Sequence, residues 1–256
     1  TIITTTFIPC SAKLPIIALF SGALFAGAWW VAPAAYFTGI AAIIISGIIL
    51  KKTRLFAGDP APFVMELTPY RWPTIGNIVR SMWERGSLFI RKAGTIILLS
   101  TIFVWFVSKY GFTDGHFGAV EDMNDGLIAW LGNAISWIFS PLGWGDWKAS
   151  VATITGLVAK ENVVGTFGIL FGFAEVAEDG QEIWGTLATH FSLLAAWSFL
   201  VFNLLCAPCF AAIGAIRREM NSAKWTFFAI AYQTGFAWCT ALCMYQLGNW
   251  IFNGVF

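Results

Sequence analysis

Asn203-Leu204-Leu205-Cys206-Ala207-Pro208-Cys209-Phe210-Ala211 lies inside an apolar segment running from His190 to Ile216. On a helix, Pro208 has no N–H for the carbonyl of Leu204, four residues back, and its ring pushes that turn open. Irregular backbone at bilayer depth persists only where it is buried in protein or lines a cavity. This break carries two thiols, and thiolate is a soft ligand for transition metals. The pattern recurs near the start of the chain, where Pro9-Cys10-Ser11-Ala12 matches Pro208-Cys209-Phe210-Ala211. An interruption repeated in the two halves of an apolar chain marks a transporter's binding site.

Composition supports a membrane setting. Of 256 residues, 58% are hydrophobic and 11% are charged, against about 25% charged in soluble domains. Several segments approach or exceed the ~20 apolar residues that span a bilayer. The formal net charge of +1, with no basic patch outside the connection 51–92, argues against nucleic acid as a partner. Cys10, Cys206, Cys209, Cys239 and Cys243 all sit in apolar segments, which excludes a secreted disulfide framework. The opening Thr1-Ile2-Ile3-Thr4 has no charged n-region, so it reads as a cut inside a longer protein rather than a signal peptide.

Working outward, residues 1–28 are expected to form a broken span interrupted by Pro9 and Pro15, and residues 33–50 a regular one. Lys51, Lys52, Arg54, Arg71, Arg80, Arg85, Arg91 and Lys92 crowd one connection, which places residues 51–92 in the cytoplasm. Its proline-rich part, 56–73, should be extended. Its second part, 74–92, carries Ile75, Ile78, Val79, Met82, Leu88 and Phe89 on one stripe, as an interfacial helix does. Residues 93–109 then cross outward. Two acidic segments without Lys or Arg, 111–126 and 174–189, are expected outside. Between them, 127–139 is too short to span and should lie at the outer surface, with Trp130, Trp137, Trp144 and Trp147 as interfacial aromatics. Residues 150–173 read as a re-entrant hairpin, with two full crossings as the alternative. Residues 190–216 run inward to Arg217 and Arg218, and 225–247 return outward. The two Pro-Cys helices therefore run in opposite senses, as an inverted repeat requires.

Few residues offer chemistry. On an intact helix Cys206 and Cys209 would share a face, as ligands or as small packing residues. Cys239 and Cys243, four apart on a regular helix, read as packing residues, with a joint ligand pair as the alternative. Lys160-Glu161 is an intramembrane charged pair and so a functional candidate. Glu161 is a hard oxygen ligand or proton carrier, or else the pair caps a hairpin tip near water. Lys13, a fixed positive charge beside Cys10, reads as structural or gating. Asn203 is an amide in mid-helix. The prolines leave the carbonyls of Thr5 and Leu204 unpaired. No HExxH, zinc-type CxxC pair, Walker A or Ser-His-Asp arrangement is present.

Four stretches together resemble the membrane domain of the ferrous iron transport protein B family. Phe7-Ile-Pro-Cys10-Ser-Ala-Lys13-Leu-Pro15 and Leu204-Leu-Cys206-Ala-Pro208-Cys209-Phe-Ala-Ala, the latter followed by Arg217-Arg-Glu-Met220, look like its two Gate motifs. Phe63-Val-Met-Glu66-Leu-Thr-Pro69-Tyr70-Arg71-Trp-Pro73 is similar to its cytoplasmic loop signature, with Thr68 where proline is usual. Gly156-Leu-Val-Ala-Lys160-Glu161-Asn-Val-Val-Gly165 resembles its Ala-Lys-Glu segment. The resemblance implies an all-α membrane protein: a polytopic helical bundle with broken and re-entrant helices and inverted Gate-type repeats. Its parts would be a first Gate helix pair (1–50), a cytoplasmic loop with amphipathic helix (51–92), an outward span with a re-entrant Lys-Glu hairpin (93–189), and a second Gate helix pair (190–256). It implies a bacterial inner-membrane importer of Fe²⁺, with Cys10, Cys209 and Cys206 at the metal and Glu161, Lys160, Lys13 and Asn203 as transport or gating candidates. Glu66, Tyr70 and Arg71 would carry the loop motif. The expected partners are the lipid bilayer, an upstream G domain of the same protein and small cytoplasmic accessory Feo proteins. The GTPase activity would reside upstream, so this part is not expected to be an enzyme. The alternative reading is a Gate-type transporter for a nucleoside or other organic solute, using Asn203, Glu161 and aromatic residues.

Overall fold

The computed structural model describes residues 2–53, 74–113, 116–119, 127–173, 176–177 and 179–253. Eleven helices are labelled here in chain order: α1 (Ile2–Thr5), α2 (Leu14–Leu24), α3 (Val31–Lys52), α4 (Ile75–Lys109), α5 (Leu127–Phe139), α6 (Trp147–Val158), α7 (Asn162–Leu170), α8 (Trp184–His190), α9 (Leu193–Leu205), α10 (Phe210–Met220) and α11 (Ala223–Asn253). Short 3₁₀ turns cover Ser11–Lys13, Ser140–Leu142 and Gln181–Ile183. The predicted outer segment after α4 contains an antiparallel hairpin, Tyr110–Thr113 with His116–Ala119. The expected helical membrane fold is borne out. Glu66, Tyr70, Arg71 and the proline-rich stretch lie outside the described residues.

The bundle is organised around α9. From Ala195 to Leu205 nearly every side chain is buried, because this stretch is apolar on all sides and has no face to offer water. Helices α2, α3 and α11 pack around it. The rings of Phe20, Phe167, Phe191 and Phe199 close one end of the core at centroid separations of 5.0–6.4 Å. Trp144 belongs to this core rather than to an interfacial belt. It is buried, stacks on Phe139 and donates its indole N–H to Ser198 Oγ at 3.3 Å. Trp130 and Trp137 remain exposed, as expected of interfacial aromatics.

Helices α3 and α11 are long and apolar enough to cross a membrane. Their large side chains, such as Phe37, Ile44, Phe227 and Trp250, face outward, where lipid can take the place of a protein neighbour. Ser46 of α3 and Tyr232 of α11 share a hydrogen bond of 2.7 Å. The predicted amphipathic helix and the span after it are one continuous helix, α4, of 35 residues. By contrast, α6 and α7 are about 18 and 14 Å long, short of a ~30 Å core. They pack on each other as a hairpin, joined by Thr155 Oγ1 and Thr166 Oγ1 at 3.0 Å.

The long apolar run from His190 is broken once, between α9 and α10, and a bend lies at its start. A bend of 117° separates α8 from α9, and Ser192 caps α9 by accepting from the Ala195 N–H at 3.2 Å. A serine just ahead of an apolar helix is a start signal, and this one sets where the segment's first helix begins. The acidic stretch 174–189 is accordingly structured at its end, holding the 3₁₀ turn Gln181–Ile183 and most of α8.

Gly39 of α3 admits the first break. A Cβ there would sit 2.7 Å from the carbonyl oxygen of Phe7 and 3.2 Å from Cδ of Pro9. Gly39→Val should therefore push the break off α3, at a cost of about 1–3 kcal/mol. Gly47→Ala on the same helix meets nothing within 4 Å and should be neutral. Thermal unfolding of the purified variants compares them; equal midpoints would contradict the close approach.

Candidate functional site

Both prolines interrupt their helices, and both cysteines after them take the same backbone role. Cys10 (φ −91°, ψ 169°) is the N-cap residue of Ser11–Lys13, and Cys209 (φ −61°, ψ 161°) is the N-cap residue of α10. The extended residues put each thiol at the start of a helical turn, where unpaired N–H groups favour negative charge. Cys206 ends α9 with ψ 168°. The chain is thus extended at both Cys206 and Cys209, and the common helical face expected for them does not exist. Cys206 is buried, Cys209 is half-buried and Cys10 is exposed.

The two breaks meet at Lys13. Lys13 is 2% exposed, and its ammonium donates to the Thr6 carbonyl at 3.0 Å and the Leu204 carbonyl at 2.5 Å. Leu204 is the residue whose helical partner Pro208 removes, so a lysine from the first break supplies the donor missing in the second. The Thr5 carbonyl accepts from the Ile8 N–H at 3.4 Å. Neither carbonyl is therefore left unpaired, contrary to the expectation from proline alone. Lys160, Cys206, Cys10 and Cys209 all lie close enough to Lys13 to act on its charge.

Lys160 and Glu161 occupy the turn between α6 and α7 and part company there. Adjacent side chains diverge by about 100° on a helix, and here Lys160 is 1% exposed while Glu161 faces outward. The Lys160 ammonium donates to Cys206 Sγ at 2.8 Å, and the Cys206 thiol donates to the Asn203 carbonyl at 3.6 Å. The Asn203 side chain donates to the Phe199 carbonyl at 3.0 Å, and its Oδ1 is buried without a partner. Thr6 Oγ1 and Gln233 Oε1 are also buried and unpartnered, while Gln233 Nε2 ties α11 to the Ile3 carbonyl at 2.8 Å.

Of the candidates, Lys13, Lys160, Cys10, Cys206, Cys209 and Asn203 are thus gathered around the breaks, and the Glu161 side chain is turned to the surface. Among the described residues, no three His, Cys, Asp or Glu side chains form a group suited to holding a metal. Gln233 escaped the sequence reading. A glutamine flanked by apolar residues was its only signal.

A bundle whose two broken helices share one buried lysine defines a helical membrane protein built on paired interrupted helices. Residues 90–223 match the Gate family, described as nucleoside recognition, and residues 32–85 match the ferrous iron transport protein B C terminus. The chain belongs to the Gate family, which its residues 90–223 match. It is 36% identical to the Fe(2+) transporter FeoB of Methanocaldococcus jannaschii, over 98% of this chain and 37% of the relative. It is 29% identical to the Fe(2+) transporter FeoB of Escherichia coli, over 98% of this chain and 38% of the relative. In Porphyromonas gingivalis, a fusion of Fe(2+) transport protein A with Fe(2+) transporter FeoB is 32% identical over 97% of this chain and 34% of its own length. The chain therefore spans little more than a third of these relatives. No solved structure matches it.

Proposed function

We propose that this chain is the membrane part of a ferrous iron importer and that Fe²⁺ passes between its two Pro-Cys breaks. The observation that carries this reading is the single ammonium of Lys13 bonded to a carbonyl of each break, which ties together the two breaks that carry Cys10, Cys206 and Cys209. Sulfur and carbonyl oxygen suit Fe²⁺ better than Mg²⁺ or Ca²⁺, and a conducted ion needs ligands weak enough to release it. Glu161, at the outward-facing corner of the α6–α7 turn, is placed to receive or release the ion rather than to hold it at the breaks.

The importer is multi-pass and sits in the cytoplasmic membrane, the inner membrane of a bacterium. Residues 51–92 face the cytoplasm and the acidic segments face outward, on the asymmetry of Lys and Arg. The first Gate pair (1–50) and the second (190–256) enclose the outward span and the Lys-Glu hairpin (93–189). A G domain of the same protein supplies GTP hydrolysis, and an accessory protein like the one fused in the Porphyromonas gingivalis relative acts from the cytoplasm. The complete transporter, expressed in cells lacking their own ferrous importer, should restore uptake of radiolabelled Fe²⁺, with no competition from excess nucleoside. A cysteine placed at Lys52 should resist a membrane-impermeant thiol reagent applied from outside. Nucleoside-dependent transport without Fe²⁺ uptake would replace this reading with the organic-solute alternative, and labelling at position 52 would overturn the orientation.

A further inference from the structure

Two buried ammonium groups stand beside the thiols at the breaks. Among the described residues the one ion pair joins Arg80 to Glu84 at the surface, so no carboxylate among them neutralises Lys13 or Lys160. Burying an unpaired cation is costly, and these two are held by neutral acceptors instead. Their holds differ. Lys13 grips two backbone carbonyls, one in the turn after α1 and one in the last turn of α9. Lys160 bonds a thiol sulfur at 2.8 Å, a weak acceptor, and it reaches there from a three-residue turn, Ala159–Glu161, between two short helices.

We propose that the Lys160 ammonium is a tethered cation that occupies the ligands of the ion site at the second break, and that an arriving divalent cation must displace it. This rests on the reading of the breaks as an Fe²⁺ path. The ligands it guards are Cys206 Sγ and Asn203 Oδ1. Asn203 lies in the last turn of α9, Cys206 is the residue that ends it, and the Cys206 thiol bonds back to the Asn203 carbonyl. Asn203 is 1% exposed and its Oδ1 has no partner. That oxygen faces the same hairpin as the lysine, since a Cβ on Gly156 of α6 would lie 3.8 Å from it. A buried acceptor left open beside a sulfur already bonded to a cation is half of a cation site. When the ion enters, the thiol proton leaves to water, sulfur ligates as thiolate, and the ammonium swings away because two cations in a weakly screened interior repel strongly. When the ion leaves, a proton from water returns to the sulfur and the lysine swings back, so the site is never without positive charge. Lys13, locked on two carbonyls, stays as the strut that keeps the breaks together. This exchange sets the affinity low enough for conduction.

The test is Co²⁺ titration of the complete purified transporter in detergent, read by sulfur-to-cobalt charge-transfer absorption. Lys160→Met keeps the length of the side chain and removes its charge. It should bind Co²⁺ at least about tenfold more tightly than the parent protein, while Lys160→Arg, which keeps the charge, should bind like the parent. Adding Cys206→Ser to Lys160→Met should abolish the charge-transfer band assigned to this sulfur. Lys160→Gln, neutral and able to donate to sulfur, replaces the methionine variant if that one fails to fold. Unchanged or weaker binding by the folded neutral variants, with the parent's charge-transfer band intact, would overturn the tethered-cation role and leave the thiol path standing. No charge-transfer band in the parent or in any variant would overturn the thiol path, and this inference with it.

Discussion

Lys13→Met is expected to lower the stability of the protein by about 2–4 kcal/mol. The lysine makes two charge-assisted hydrogen bonds to buried carbonyls, and each such bond contributes about 1.5–3 kcal/mol. Part of that sum is offset because an expensive buried charge disappears with it. The remainder falls on two carbonyls that lose a donor, Thr6 in the first break and Leu204 in the second. The Leu204 oxygen has no recourse to the backbone, because the residue four positions on is Pro208. The breaks should separate, and Fe²⁺ uptake should fall with the fold. In thermal unfolding of the purified transporter this corresponds to a drop of roughly 5–15 °C. Lys51→Met, on the exposed last turn of α3, should leave the midpoint within about 0.5 kcal/mol of the parent. Equal midpoints for the two variants would show that the Lys13 bonds do not hold the breaks together.

Cys10→Ser combined with Cys209→Ser should reduce Fe²⁺ uptake by about tenfold or more without loss of stability. The two halves of that expectation have separate causes. Serine is a hard ligand that stays protonated, whereas a cysteine bound to a metal ionises and offers soft sulfur. Yet both positions are N-cap residues in extended conformation, and serine caps a helix better than residues without a side-chain oxygen do, by about 0.5–2 kcal/mol relative to alanine. The variant should therefore unfold at the parent's temperature or slightly above it. Cys243→Ser, exposed on the regular helix α11, should transport normally. Uptake at the parent's rate in the double serine variant would return both thiols to helix packing. Reduced uptake accompanied by a lowered melting temperature would also fail the prediction, since it would trace to folding rather than to ligand chemistry.

The contrast between Lys13 and Lys160 marks how far reasoning from residues reaches. Proline chemistry alone located both breaks, because the missing N–H is a local property of residues 9 and 208 and of the carbonyls four residues behind them. It also named Leu204 as the carbonyl without a backbone donor. It did not name the donor that fills the vacancy, which comes from 191 residues away. Likewise Lys160-Glu161 stood out as a charged pair in an apolar segment, but which of the two turns inward depends on the position of the α6–α7 hairpin against α9. Trp144 shows the same limit from the other side. A tryptophan near a short apolar helix is equally suited to a lipid interface or a core, and only the Ser198 hydroxyl and the ring of Phe139 decide for the core.

Composition, hydrophobic run length and Lys/Arg placement are enough by themselves to establish a helical membrane protein, its two long spans and its paired Pro-Cys interruptions. These features follow from the cost of exposing polar backbone or charge to lipid, and that cost is read residue by residue along the chain. Three things waited for the tertiary structure: the meeting of the two breaks at one ammonium, the lodging of Lys160 on Cys206, and the bend between α8 and α9. Each depends on where separate segments come to rest against one another. A lysine side chain has enough rotatable bonds to reach many acceptors, and packing around α9 leaves Lys13 and Lys160 the carbonyl and sulfur acceptors at the second break.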